Sequence, residues 1–222
     1  IGSDNIDIVL NELDALFNID LTTRQPKETL TSLDIIRIGT SGSLQKDIPV
    51  DSLLISTHGL DLNGMLQSYK IETICHSDIE NAFIEQTNWH QNKARPALIK
   101  CSEKLKQKFE SNKTHQGVTA TAGGFYGPQG RVLRLAIQDK NLNSKMDAFS
   151  YKGHRITNLE METSAIYGLS KLLGHHAISL NAIIANRASG TFSKSPHEVI
   201  ENLISYTLNK IIPINKLLNE ES

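Results

Sequence analysis

Cysteine, tryptophan and proline are scarce in this chain of 222 residues: two Cys, one Trp and six Pro. The two thiols, Cys75 and Cys101, lie far apart without CxxC spacing. That excludes a disulfide framework and a thiolate zinc site, and it points to a reducing compartment. No apolar run approaches the roughly 18 residues that a membrane span needs. Neither charge dominates: 23 Lys and Arg face 24 Asp and Glu, net −1. The electrostatic footprint of a nucleic-acid or membrane-surface binder is therefore missing. The chain opens on Ile1-Gly2-Ser3-Asp4, with neither signal-peptide character nor an initiator methionine. A cytoplasmic location is the expectation, with something upstream of Ile1 lost. Without repeats, linkers or low-complexity segments, one α/β domain with a real core is the simplest organisation.

What is present is hydrophobic periodicity. Asp4 or Asn5 can cap a first helix that buries Ile6, Val9, Leu10, Leu13, Leu16 and Phe17. The polar stretch Thr22 to Thr31 reads as a surface excursion. Leu33 to Ser43 reads as a buried strand running into a Gly39-Thr40-Ser41-Gly42 turn. A strand follows at Ser52 to Ser56, then a polar segment from His58 to His90 that reads as loop with short elements. His58, His76 and His90 lack metal-ligand spacing and read as solvated, as does the His175-His176 pair. Ala97 to Phe109 reads as an amphipathic helix, Val118 to Ala122 as a buried strand, and the residues from there to His154 as polar connection. Asn158 to Thr163 joins a short strand to a helix that Gly174 stops, and the strand Ala177 to Ala185 completes a βαβ unit. Ser195, Pro196 and Glu198 mark the start of a last helix that buries Val199, Leu203, Ile204, Leu208 and Ile211.

Three stretches carry chemistry. Glu160-Met161-Glu162 lies where a strand runs into a helix. Its carboxylates suit sugar hydroxyls, or they are acids favoured at a solvated helix N-terminus. Arg37 sits in an apolar strand before small residues whose N–H groups and hydroxyls can cradle an oxyanion. The alternative is a structural arginine paired with a core acid. Gly123 to Arg131 follows a strand and holds Phe125, Tyr126, Gln129 and Arg131. That set suits the edge of a heterocycle bearing carbonyls and an N–H, or it is an ordinary turn with Phe125 plugged into the core.

Taken in order, Arg37-Ile38-Gly39-Thr40-Ser41-Gly42, Phe125-Tyr126-Gly127-Pro128-Gln129-Gly130-Arg131, Glu160-Met161-Glu162 and Asn186-Arg187 resemble the nucleoside phosphorylase family, most closely its uridine phosphorylases. The resemblance implies an α/β fold: a mixed, partly barrelled β-sheet flanked by helices in three α/β/α layers. It implies phosphorolysis of pyrimidine nucleosides, uridine and phosphate giving uracil and ribose 1-phosphate, in nucleoside catabolism and salvage. Arg37, Gly39 and Thr40 would bind phosphate; Glu160, Met161 and Glu162 would hold the ribose hydroxyls. Phe125 would pack on sugar and base, Gln129 and Arg131 would read uracil, and Arg187 would support them from behind. Arg37, Glu162 and Arg131 are the implied catalytic residues. Inorganic phosphate is the co-substrate, with no metal and no other cofactor. The family assembles as dimers, commonly grouped into hexamers. Its usual first strand and Gly-Asp-Pro phosphate loop have no counterpart here, so residues 1–222 are expected to be one N-terminally incomplete phosphorylase domain. Gly127-Pro128 inverts the expected Pro-Gly order, and Gly130 replaces an acid. Purine members place an aspartate where Asn186-Arg187 stands, which favours pyrimidine. The alternatives are a purine nucleoside phosphorylase or nucleosidase on the same fold, or a nucleoside-binding module that has lost catalysis.

Overall fold

The computed structural model describes residues 1–212. The chain runs α1 (Ser3–Asn18), a small hairpin β1 (Ile19–Asp20) and β2 (Gln25–Pro26), β3 (Asp34–Ser43) and β4 (Leu53–Asp61). A 3₁₀ turn at Met65–Ser68 precedes α2 (Ser77–Thr87), β5 (Ala97–Lys100), α3 (Glu103–Phe109) and β6 (Thr114–Thr121). After a 3₁₀ turn at Gly127–Gln129 come α4 (Leu142–Ala148), β7 (Ser150–Tyr151), β8 (His154–Glu160) and α5 (Thr163–Leu172). β9 (His176–Asn186), β10 (Thr191–Phe192) and α6 (Pro196–Ile211) complete it.

The main sheet has the order β10-β9-β3-β8-β6-β4-β5, with β7 on β8. β3 is parallel to β9, and β4, β6 and β8 are parallel to one another. β4 pairs a second time, antiparallel with β9, from Leu53↔Ala182 to Ile55↔Leu180. The arc β9-β3-β8-β6-β4 thus bends back on itself, although β3 and β8 share only Gly42↔Leu159 and Ser43↔Asn158. This is the mixed, partly barrelled sheet flanked by helices, and not a closed barrel.

Three apolar layers pack outside the arc. Phe83, Phe149, Leu60 and Leu98 fill the space under α2 and α4. Leu10, Ile166, Ile99 and Tyr167 lie between α1, α5 and the sheet, and Leu105, Phe109, Leu180 and Leu203 under α3 and α6. Tyr167 is fully buried, yet its hydroxyl donates to the Ser56 carbonyl (2.6 Å) and accepts from Ser179 N–H (2.8 Å), so no polar group is orphaned there. Among the described residues no helix is long and apolar enough to cross a membrane.

Several expectations from periodicity are corrected. Residues 39–42 are not a turn: they continue β3, paired to β9 through a bulge at Ser41/Gly42. Ala97 to Phe109 is not one helix but a buried four-residue strand, then a helix capped by the Ser102 hydroxyl. The 58–90 segment holds the end of β4 and the three-turn α2, and α4 lies within the 132–154 connection. β8-α5-β9 is no parallel βαβ unit, because β3 lies between the strands and runs antiparallel to β8. α1 begins after Gly2 and packs mainly along α5, so Leu10 is buried while Val9, Leu16 and Phe17 are exposed. In α6 the buried face is Val199, Leu203 and Thr207; Leu208 and Ile211 are exposed, and Ser195 makes no side-chain cap.

Two histidines are not solvated. His175 is buried, its Nδ1 accepting from Leu33 N–H. His58 is buried against the rings of His76 and His154, at centroid distances of 5.6 and 4.8 Å. Burial first, then its two histidine neighbours, pushes His58 down to about 3, so it is neutral near pH 7. Among the described residues, no group of three His, Cys, Asp or Glu is arranged to hold a metal ion. Burial pushes the Cys75 and Cys101 thiols up to about 12 and about 11, which leaves both unreactive.

Candidate active site

The ends of β3, β8 and β9 and the loop after β6 surround a cavity of about 520 Å³. It gathers Arg37, Gly39, Thr40, Phe125, Gln129 and Arg131, together with Glu160, Met161 and Glu162. Of the residues to which the resemblance assigns a role, Arg187 alone stands outside the lining, and it touches the site through Gln129, while Tyr126 lines a different cavity. The volume lies within the range of small-molecule pockets.

Glu160 and Glu162 do different work at the β8–α5 junction. Glu160 is buried and its oxygens are engaged: Oε1 accepts from the Thr121 hydroxyl (2.7 Å), and Oε2 accepts from the N–H groups of Glu162 (2.8 Å) and Thr163 (2.9 Å). It satisfies the first donors of α5 and so shapes the turn that presents its neighbour. Glu162 reaches the cavity, where its Oε2 accepts from Arg37 Nη2 at 2.7 Å and its Oε1 from Gly2 N–H at 2.9 Å. Burial alone would raise the Glu162 carboxyl, but the charge and hydrogen bond of Arg37, together with the Gly2 N–H and the Ile1 ammonium, outweigh it and hold the group below the usual range.

Arg37 lies flat along its own strand. A Cβ at Gly39 would fall 2.5 Å from Arg37 Nη1, so the glycine serves the passage of the guanidinium rather than a turn. One edge of the guanidinium faces the acids, with Nη2 also 3.3 Å from Glu160. The other edge donates through Nη1 to Asn181 Oδ1 (3.0 Å) and Ser179 Oγ (3.3 Å). A buried chain continues from there across the inside of the arc. Asn181 donates to Ser56 (2.9 Å), Ser56 meets Thr119 (2.5 Å), Thr119 donates to Asn158 (2.8 Å), and Asn158 donates to Ser41 (2.9 Å). Because the single Thr119 proton goes to Asn158, Ser56 is the donor in its pair, and the chain has one direction from Arg37 to Ser41. Neither Asn181 nor Ser179 was legible as a site residue by motif. The signal was alternation: Ser179 and Asn181 interrupt the apolar run of β9 two residues apart, as Thr119 and Thr121 do in β6.

The opposite end of the cavity is a cluster of donors. Gln129 is buried, and its Oε1 accepts from both Arg131 Nη1 (2.7 Å) and Arg187 Nη2 (2.6 Å). Arg187 also donates to the Gln129 carbonyl, and Arg131 stacks over the half-exposed Phe125 ring at 3.7 Å. Burial, then the charge of Arg131, pushes Arg187 down to about 10, still charged at neutral pH. Asn186 turns away: its amide donates to the carbonyls of Gln45 and Ile48, and its oxygen accepts from Ser189 N–H. Between the acceptor end and the donor end the walls are apolar, with Leu159, Ile184 and Phe192. Such a cavity suits a ligand with hydroxyls at one end and a flat, carbonyl-bearing edge at the other.

Comparison with known proteins identifies the family. The sequence model of the family described as the phosphorylase superfamily matches residues 18–208. A uridine phosphorylase from Thermococcus kodakarensis is 28% identical over 167 residues, 72% of this chain and 51% of its own length. The chain thus spans about half the length of that curated relative. A Trypanosoma brucei nucleoside phosphorylase whose crystal structure is described as showing uridine phosphorylase activity superposes with a TM-score of 0.81 at 25% identity, over 95% of this chain and 77% of its own. A Schistosoma mansoni uridine phosphorylase in complex with thymine shares the fold, with a TM-score of 0.61 at 21% identity, covering 97% of this chain and 71% of its own.

Proposed function

The chain belongs to the phosphorylase superfamily, and on that premise we propose that it cleaves pyrimidine nucleosides, uridine first among them, by phosphorolysis. The observation that carries this reading is the two-ended cavity, with Glu162 beside Arg37 at one end and Gln129 between two guanidinium groups at the other. Glu162 accepts from the ribose hydroxyls, with Met161 against the sugar. Gln129 and Arg131 face the pyrimidine edge. With its oxygen taken by Arg131 and Arg187, Gln129 offers its NH₂ group to a base carbonyl.

The reaction follows from charge. As the bond between ribose C1′ and base N1 stretches, its electron pair moves into the base and the sugar becomes cationic. A phosphate oxygen held by Arg37 and Thr40 then forms the new bond to C1′. Arg131 and Gln129 stabilise the departing pyrimidine anion, help worth about 3–4 kcal/mol per well-placed donor. No metal or organic cofactor takes part, and phosphate is the co-substrate. Arg37 is already shared by two carboxylates, so a phosphate there gains from further cations. A partner subunit of a dimer is their proposed source, and a monomer by light scattering in the presence of phosphate would count against it. Asn186, spent on backbone carbonyls, favours pyrimidine over purine.

The test is release of uracil from uridine by the purified protein, with and without phosphate, beside inosine. Phosphate-dependent cleavage of uridine supports the reading. Cleavage of inosine alone would replace it with a purine phosphorylase, cleavage without phosphate with a hydrolase, and binding of uridine without turnover with a nucleoside-binding module.

A further inference from the structure

Behind the loop that carries Gln129 lies a second cavity, larger than the first at about 840 Å³. Arg131 alone is common to both, and the phosphorolysis proposed above uses none of the rest. The inner wall is Leu62, Trp89 and Leu142, and the roof is Leu133, Leu135 and Ile137. Leu133 and Leu135 are among the most exposed large apolar residues of the chain, so the roof leaves apolar surface facing water.

The charges around these walls are one-sided. Lys93, Arg131 and Arg134 line the cavity against one acid, Asp139, which Lys145 already holds at 2.8 Å. Lys93 Nζ stands 4.4 Å from the centroid of the Trp89 ring, and among the described residues it makes no ion pair. A cation partly withdrawn from water above an apolar pocket gains most from an anion that also fills the pocket. Water can solvate the cations, but it gains little from the apolar walls, which offer it few hydrogen-bond partners. A neutral hydrophobe fills the space but leaves the cations as they were.

We propose that this cavity binds small amphipathic anions, an alkyl or aryl body with one carboxylate or sulfonate head. The body lies against Trp89, Leu142 and Leu135, and the head is held by Lys93 and Arg134.

Trp89 is the only tryptophan in the chain, so its emission reports occupancy directly. Decanoate, added below its micellar range, should change Trp89 emission along a saturable one-site curve. Anilinonaphthalene sulfonate should receive energy from Trp89, and decanoate should reverse the transfer. The double substitution Lys93→Gln with Arg134→Gln, both on the rim, should weaken decanoate about tenfold and leave decanol binding nearly unchanged. Ala136→Phe, which narrows the roof, should weaken both ligands. The proposal is overturned by an unsaturable response, by equal affinity for decanoate and decanol, or by an unchanged decanoate affinity in the double variant. It is also overturned if the emission change tracks a rise in light scattering with protein concentration, because a second copy would then be covering the roof.

Discussion

Leu180 and Asn181 are neighbours on β9, and they face opposite sides of the strand arc. Leu180 points outward and packs with Ile55, Leu105, Phe109 and Leu203. Asn181 points inward, where Arg37, Ser56, Thr119, Asn158 and Ser41 form a single line of hydrogen bonds. The outer layer stabilises through apolar area, which is non-directional and adapts to changes of shape. Apolar contact cannot aim a guanidinium. The inner line can, because hydrogen bonds are directional and each donor in it meets a buried acceptor, and the low dielectric makes an unmet partner costly. Bulk stability and the orientation of the site are thus assigned to opposite faces of the same strands.

Perturbing the two faces should give separable results. The largest effect is expected where the inner line meets the cavity. Glu162→Ala should lower kcat/KM for uridine by a factor of about 10²–10³ or more while the circular dichroism spectrum is unchanged. Next, Leu180→Ala should cost about 2–5 kcal/mol of stability, measured by urea unfolding, with the phosphate KM of the remaining folded protein unaltered. Asn181→Leu should cost less, about 1–3 kcal/mol, yet raise the phosphate KM about tenfold because Arg37 loses its anchor on Nη1. If Leu180→Ala moved that KM and Asn181→Leu did not, the two faces would not be distinct.

A smaller effect concerns His58, a polar group in an outer layer. Its folded pKa, about 3, lies below its ordinary 6.5. Between those values the unfolded chain binds the extra proton, so stability is full above pH 6.5 and falls with decreasing pH, by up to about 1.4 kcal/mol per pH unit. Unfolding free energies measured from pH 7 to pH 4 should show this slope in the wild type and a shallower one in His58→Gln. The smallest effect is expected on the bare side of α1. Leu16→Glu should change stability by less than about 0.5 kcal/mol, since Leu16 is exposed. A large drop in thermal midpoint would mean that another surface covers it.

The stretches that build the candidate site were legible in the sequence for a local reason. Each compresses its chemistry into a few consecutive residues: a carboxylate pair at a strand–helix junction, an arginine before glycine, a Gln and an Arg after a glycine-rich bend. The secondary structure around them was less legible. Ala97 to Phe109 satisfies a helical period, but a four-residue buried strand leaves no periodicity of its own, and only the Ser102 cap marks where the helix begins. Gly39 and Gly42 looked like a turn because glycine is most often needed for one. Here Gly39 makes room for the Arg37 side chain, and Gly42 lies where a Cβ would meet Arg187 Nε at 3.4 Å.

By itself, the sequence determined which chemical groups are available, in what order, and that β-strands and helices alternate around them, because those properties reside in neighbouring residues. It also carried, in the alternation of Ser179 with Asn181 and of Thr119 with Thr121, the fact that some strands have a polar face. Which polar face meets which was decided only by tertiary structure. The return pairing of β4 onto β9, between residues more than a hundred positions apart, turns five polar faces toward one another. Only then do Asn181, Ser56, Thr119, Asn158 and Ser41 become one line, and only then does Arg37 have a direction. Distances of that kind are set by the closing of the sheet, and no local pattern encodes them.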